Sequence, residues 1–183
     1  MANSKANKQK SIDKLLTSLG SLIVVLLVIV GSLAWGAYSF TTNNVKTELA
    51  SQKIYFPPKG SPALASPEIG PYLNRYAGLQ LLTGPEAKAY ADHFIAVHLS
   101  EVANGQTYAQ VSAESLANPT NTVLKAQAQT LFQGETLRGL LLGDAYAFWT
   151  VGHIAQITAI VFFVAAAVML IFVILGFAHL TSL

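Results

Sequence analysis

Two long apolar stretches without a formal charge constrain this chain more than anything else in its sequence. No Lys, Arg, Asp or Glu occurs between Lys14 and Lys46, and none after Asp144. The first gap holds Leu19 to Phe40 (LGSLIVVLLVIVGSLAWGAYSF), and the second holds Thr150 to about Ala178 (TVGHIAQITAIVFFVAAAVMLIFVILGFA). Crossing the hydrocarbon core takes roughly 20 predominantly apolar residues in a helix, and each stretch supplies them. Only 11% of the residues are charged, where a soluble domain has about 25%. That deficit points to lipid around part of the chain.

The flanks of the two stretches set an orientation. Lys5, Lys8, Lys10 and Lys14 face a single Asp13 before the first, and such a basic end stays in the cytoplasm. Trp35, Tyr38 and Phe40 close the first stretch, while Tyr146, Phe148 and Trp149 precede the second. Aromatic rings prefer the membrane interface, so two belts on one side predict an out-and-back hairpin. A cleaved signal peptide would have an apolar core of about 7–15 residues ending in a small-x-small site. Here the run is longer and bulky Trp35 and Tyr38 occupy its end, so an uncleaved anchor is expected. The predicted layout is a cytoplasmic N-terminus (1–17), a first span (18–40), an extracytoplasmic domain (41–149), a second span (150–178) and a short cytoplasmic tail (179–183). The expected location is the plasma membrane, with both termini inside. Ser32 with Gly36, and Ala155 with Ala159, have the small-xxx-small spacing that lets helices approach closely.

The middle region reads as helical. Asn43 to Lys53 is rich in helix formers and extends the first span. Ile54 to Leu73 holds Pro57, Pro58, Pro62, Pro67 and Pro71, which oppose a regular helix and favour an extended path. This proline-rich segment (54–73) is either a surface connection over the helices or a docking strap for a partner. Thr83 and Glu86 have capping-box spacing, Pro85 lies in the first turn, and Gly105 is placed to stop the helix. Between them Ala87, Ala91, Phe94, His98 and Val102 make one apolar face. Thr107 caps a shorter helix to Leu116, and Asn118-Pro119 marks a turn. From Thr120 the pattern is helical into the second span, although Gly134, Gly139 and Gly143 each cost roughly 1 kcal/mol relative to alanine. No strand-like alternation occurs, so the predicted class is all-α: two transmembrane helices in a hairpin, with a helical domain between them.

Chemistry is not announced. Cysteine is absent, which removes disulfides, thiolate metal sites and a cysteine nucleophile. From Thr41 to Trp149 there are seven Lys/Arg against eight Asp/Glu, so no basic face for nucleic acid is expected. His93 and His98 are five apart, about 140° around a helix, and cannot chelate one ion together. His98 is expected as a core histidine. Asp92 and His93 point apart as neighbours on a helix, and Glu135 with Arg138 has the spacing of a surface pair. His153, with Gln156 and Thr158, is a polar group in the outer part of the second span, where such groups are costly. Hydrogen bonding between helices is its expected role. No second intramembrane histidine completes a haem pair. No G-x-S-x-G, phosphate loop or H-E-x-x-H motif is present. No metal and no cofactor is expected.

The layout resembles a family of small two-span actinobacterial membrane proteins. The pieces that carry the resemblance are Tyr90-Ala91-Asp92, Phe94-Ile95, His98-Leu99, Thr107-Tyr108-Ala109, Ser112 and Thr136-Leu137-Arg138. Members are often labelled aromatic ring-opening dioxygenases. That chemistry needs an iron site of histidines and a carboxylate with open positions, and no such spacing occurs here. Similar proteins serve as accessory subunits of respiratory supercomplexes, and the resemblance implies that role. The expectation is a non-catalytic accessory or scaffold subunit among integral membrane proteins, touching partners through Tyr55, Phe56, Pro57, Pro58, His153 and Gln156. An anchored ligand-binding or sensor module is the alternative.

Overall fold

The computed structural model describes residues 2–182, with residues 2–6 described by their helical backbone alone. Lys5 of the basic N-terminus and Leu183 of the tail lie outside the described side chains. The chain is all-helical, and among the described residues the nearest thing to a sheet is one isolated bridge, Tyr55 with Gln80. Helix α1 runs over Ala2–Gln52. Short helical turns follow at Pro62–Leu64, α2 (Gly70–Leu73) and Asn74–Tyr76. Then come α3 (Gly84–Tyr90), a π-turn at Ala91–Ile95, α4 (Ala96–Val102) and α5 (Tyr108–Ala117). The chain ends with α6 (Thr122–Leu140), a second π-turn at Leu141–Ala147 and α7 (Phe148–Ser182). Contacts divide the chain into two units, one formed by residues 1–40 and 152–183 and the other by residues 41–151.

In the first unit, α1 and α7 meet along a seam that rises on one helix as it falls on the other. Asp13 stands 3.9 Å from His179, and Thr17 Oγ1 lies against Gly176. Gly20 faces Val173 and Met169, Gly31 faces the Phe163 ring, and Tyr38 meets His153 edge-on at 5.5 Å. The covered positions of α1 include Asp13, Thr17, Gly20, Val24, Leu27, Gly31, Ala34 and Tyr38. Those of α7 include Gly152, Ala155, Ala159, Phe162, Ala166, Met169, Val173 and Gly176. Both sets advance by alternating steps of three and four, the 3.5-residue period of a coiled-coil seam. Small residues recur along it, and a Cβ at Gly20 or Gly31 would stand 2.9 Å from the facing side chain. The expected pair Ser32 and Gly36 is not in this seam. Both are exposed, and a Cβ on Gly36 would touch nothing. The Ala155–Ala159 spacing does belong to it, with Ala159 fully buried.

Away from the seam the two helices are apolar. Only 17% and 11% of their most apolar windows are buried, and both are long and apolar enough to cross a membrane. A helix in the core of a soluble protein would bury most of such a window. Leu33, Phe40, Ile157, Val161 and Phe172 instead point outward, among many similar side chains.

The second unit has its own core of Val45, Leu49, Phe56, Leu73, Leu81, Ala87, Ala91, Ile95, Leu99, Val111, Leu131 and Leu141, among others. The capping box expected at Thr83 forms, with Thr83 accepting from the Glu86 N–H, and Thr107 caps α5 as expected, with Gln110 completing a second box. Two expectations need correction. Pro62 and Pro71 start helical turns rather than extended chain, because proline in a first turn has no N–H to lose. The apolar face after Thr83 also differs. The extra residue accommodated by the π-turn moves the buried stripe from Phe94, His98 and Val102 to Ile95, Leu99 and Ala103. That helix stops as expected: Gly105, at φ +79°, donates its N–H to the Ser100 carbonyl.

Candidate partner-binding surface

The proline-rich segment turns one side inward and one outward. Phe56 N–H donates to the Leu79 carbonyl, Leu81 N–H to that of Ile54, and Gly78 N–H to that of Pro57. This short two-stranded contact pins the alternation of side chains. Phe56 goes inward, 2% exposed. It stacks on Tyr76 at 5.0 Å and meets Tyr90 edge-on at 5.4 Å. Tyr55 goes outward, 56% exposed, while Pro57 is half-buried and Pro58 exposed. Of the four strap residues singled out, Phe56 therefore anchors the strap to its own core, and Tyr55 and Pro58 remain exposed. Arg75 lies over the Tyr76 ring at 4.6 Å and extends this aromatic layer.

Beside it runs a polar network whose members look like unrelated pairs in the sequence. Asp92, in the first π-turn, accepts a hydrogen bond from Lys88 and pairs with Arg138 of α6 at 3.6 Å. Arg138 also reaches Glu135 at 3.5 Å, as its i,i+3 spacing suggested. Burial pushes the Asp92 carboxyl upward, but the Lys88 hydrogen bond and the charges of Lys88, Arg138 and His93 outweigh it. The net shift is downward. The same hydrogen bond holds Lys88 above its ordinary range, and its ammonium also sits 5.3 Å from the centre of the Tyr146 ring. Desolvation raises the Tyr90 phenol. Chemically, this arrangement ties the π-turn to α6. Spacing alone could not show Asp92 and Arg138 meeting, because they are far apart in sequence.

Three of the four histidines pack or bond locally. His93 stacks on Tyr72 with ring centres 3.6 Å apart and planes 3° from parallel. The His98 ring lies against Phe94 at 4.4 Å, and its Nδ1 is 2.8 Å from the Phe94 carbonyl, as fits a satisfied, half-buried histidine. His153 Nδ1 lies 3.1 Å from Gln156 Oε1 on its own helix, and its ring packs against Tyr38. The predicted partner residues His153 and Gln156 thus bond to each other, and both are half-buried. Thr158 returns its hydroxyl to the Ile154 carbonyl. Among the described residues no group of three His, Asp or Glu side chains could hold a metal.

An outward apolar surface on α5 and α6 went unremarked in the sequence. Leu116 is 80% exposed, and Val123, Phe132 and Tyr108 are also exposed, with the last two rings 5.7 Å apart. Its one signal was the turn itself, since Leu116 and Val123 flank Asn118-Pro119. No family profile matches the chain, and no curated protein or solved structure matches it.

Proposed function

We propose that this chain is a two-span membrane protein that acts as a non-catalytic accessory or scaffold subunit of a larger membrane assembly of the respiratory chain. In this reading α1 and α7 cross the plasma membrane as a hairpin, both termini are cytoplasmic, and residues 41–149 form an extracytoplasmic helical domain. The observation that carries it is the outward apolar surface of both long helices, which meet each other along a seam of small residues such as Gly20, Gly31, Ala159 and Ala166. Such a surface is stable only against lipid or other spans. Tyr55, Pro58 and the α5–α6 surface are apolar groups exposed on the other unit, and they suit contact with neighbouring subunits.

Purification of the tagged chain from its own membranes in mild detergent, with mass spectrometry, tests the role. Fixed-stoichiometry recovery of respiratory subunits is the expected result, and the chain alone, reproducibly, overturns it. A second reading has one observation in its favour. A cleft of about 270 Å³ is lined by Asn44, Glu48, Gln52, Leu141, Asp144 and Phe148, among others. If the protein is a ligand-binding module, a small molecule that raises the melting temperature of the full chain will be displaced by Leu141→Trp.

A further inference from the structure

From the cleft between α5 and α6 we infer a binding site for a small amphipathic carboxylate, an aromatic ring joined to its carboxylate by a short alkyl spacer. The inference uses these two helices alone and stands apart from the subunit role proposed above. The cleft is about 430 Å³ and is lined by Tyr108 and Ser115 of α5 and by Lys125, Ala128, Gln129 and Phe132 of α6. The turn from Asn118 to Asn121 sends the chain back on itself, so the two helices run antiparallel. Tyr108 and Phe132 meet across the pair, with ring centres 5.7 Å apart and planes 49° from parallel. Ser115 lies seven residues further along α5 and Lys125 seven residues earlier along α6, so these two share the opposite end. Seven residues make two helical turns, which keeps each pair on the lining face and separates the two ends by about 10 Å. Between them Ala128 is too small to fill the space, and Gln129 offers an amide.

One end of the cleft is built to donate. Ser115 is only 8% exposed, yet its hydroxyl meets no hydrogen-bond partner among the described residues and is not sealed from the cleft. The hydroxyls of Thr130 and Thr136 on α6 return to the carbonyl four residues back, and that of Ser115 does not. A nearly buried hydroxyl without a partner is costly, and a ligand oxygen in the cleft satisfies it. Among the described residues Lys125 is the one charged side chain of the lining, and it is exposed and forms no ion pair. Glu114, the acid next to Ser115 in the sequence, accepts a hydrogen bond from Gln106 instead. A positive charge, a hydroxyl and an amide without an acid beside them select an anion, and the two oxygens of a carboxylate suit Lys125 and Ser115 together. The other end presents two tilted rings, against which an aromatic ring packs edge-on or offset. An anion without a ring would leave that end wet, and a ring without the carboxylate would leave the Ser115 hydroxyl unpaired. The spacer follows from the distance between the ends.

The test is isothermal titration calorimetry of the full chain in a non-ionic detergent, with the heat of titrating empty micelles subtracted. Phenylbutyrate is the probe, and phenylbutanol and hexanoate are its uncharged and ringless comparators. Phenylbutyrate is expected to bind one molecule per chain, about tenfold more tightly than phenylbutanol, because the alcohol forfeits the charge-assisted hydrogen bonds. Hexanoate should bind severalfold more weakly than phenylbutyrate. Lys125→Gln, at an exposed position, should weaken phenylbutyrate about threefold, as fits a solvent-screened pair, and leave phenylbutanol unchanged. Ser115→Ala should weaken phenylbutyrate about fivefold through the lost hydrogen bond. No heat above the micelle control at millimolar phenylbutyrate overturns the site. Equal affinity for phenylbutyrate and phenylbutanol, or unchanged affinity in both variants, overturns it too. None of these outcomes bears on the subunit role, which co-purification tests separately.

Discussion

Gly134 and Gly139 lie on the same helix, five residues apart, and replacing each with alanine should have opposite effects. A Cβ at Gly139 would touch nothing within 4 Å. Gly139→Ala therefore gains helix propensity and loses unfolded-state freedom, a stabilisation of about 0.5–1 kcal/mol. A Cβ at Gly134 would stand 2.9 Å from Leu99 Cδ1 and 3.0 Å from Leu99 Cγ, and nearer still to Cδ2. Leu99 is buried in the core, and because its Cγ is also too close, turning a terminal methyl aside is no remedy. Overpacking of this kind costs about 1–3 kcal/mol, which equals or exceeds the propensity gain of about 1 kcal/mol. The two variants should differ by about 1–3 kcal/mol. At roughly 4 °C per kcal/mol for a unit of this size, that is a gap of about 4–12 °C in melting temperature. The assay is thermal unfolding of the detergent-solubilised chain followed by far-ultraviolet ellipticity. Adding Leu99→Ala supplies a double-mutant cycle, in which truncating Leu99 should cost less in the Gly134→Ala background than in the wild type. Equal stabilisation by both alanines, or a cycle without coupling, would refute the close α4–α6 contact.

Three further expectations follow from the same packing. Phe56→Ala should destabilise the chain by about 3–5 kcal/mol, as loss of a buried aromatic does, while Tyr55→Ala changes stability by less than about 0.5 kcal/mol and weakens co-purification of a partner; chemical denaturation and pull-down separate the two. The depressed Asp92 carboxyl contributes stability that is present above its unfolded value of about 3.9 and lost as pH falls through the lower folded value. Melting temperatures of wild type and Asp92→Asn should therefore converge below about pH 4, the difference above that being under about 1 kcal/mol for so solvent-screened a pair. Gly31→Leu would drive a side chain into the Phe163 ring, so oxidation of Thr17→Cys with Gly176→Cys should give a cross-link that Gly31→Leu reduces severalfold.

Much of the helix grammar was legible because it is local. Thr83 with Glu86, Thr107 and Gly105 each declare a helix end within a few residues, and all three do so in the structure. The seam was not legible by hydrophobicity, because α1 and α7 are apolar on their uncovered sides as well. The information lies in the size pattern Gly20, Gly31, Ala34 against Gly152, Ala159, Ala166, and the more familiar Ser32-xxx-Gly36 spacing points to the wrong side. The face of α3 and α4 was displaced for another reason. A period of 3.6 residues carried through Ala91–Ile95 misses the π-turn, and nothing in ADHFI announces one. Of the candidate contact residues, Phe56 illustrates the limit of composition: an aromatic beside two prolines suits a partner or its own core, and only the pairing with Leu79 decides between them.

The membrane hairpin underlies the proposed role, and the absence of cysteine makes it directly testable. Single cysteines replacing Gln9, Lys59 and Thr181, all exposed positions, would be treated with a membrane-impermeant maleimide on intact cells and again after permeabilisation. Labelling of Lys59→Cys on intact cells, with Gln9→Cys and Thr181→Cys labelled only after permeabilisation, is the predicted result. Labelling of either terminal cysteine on intact cells, or protection of the central one, would contradict the topology.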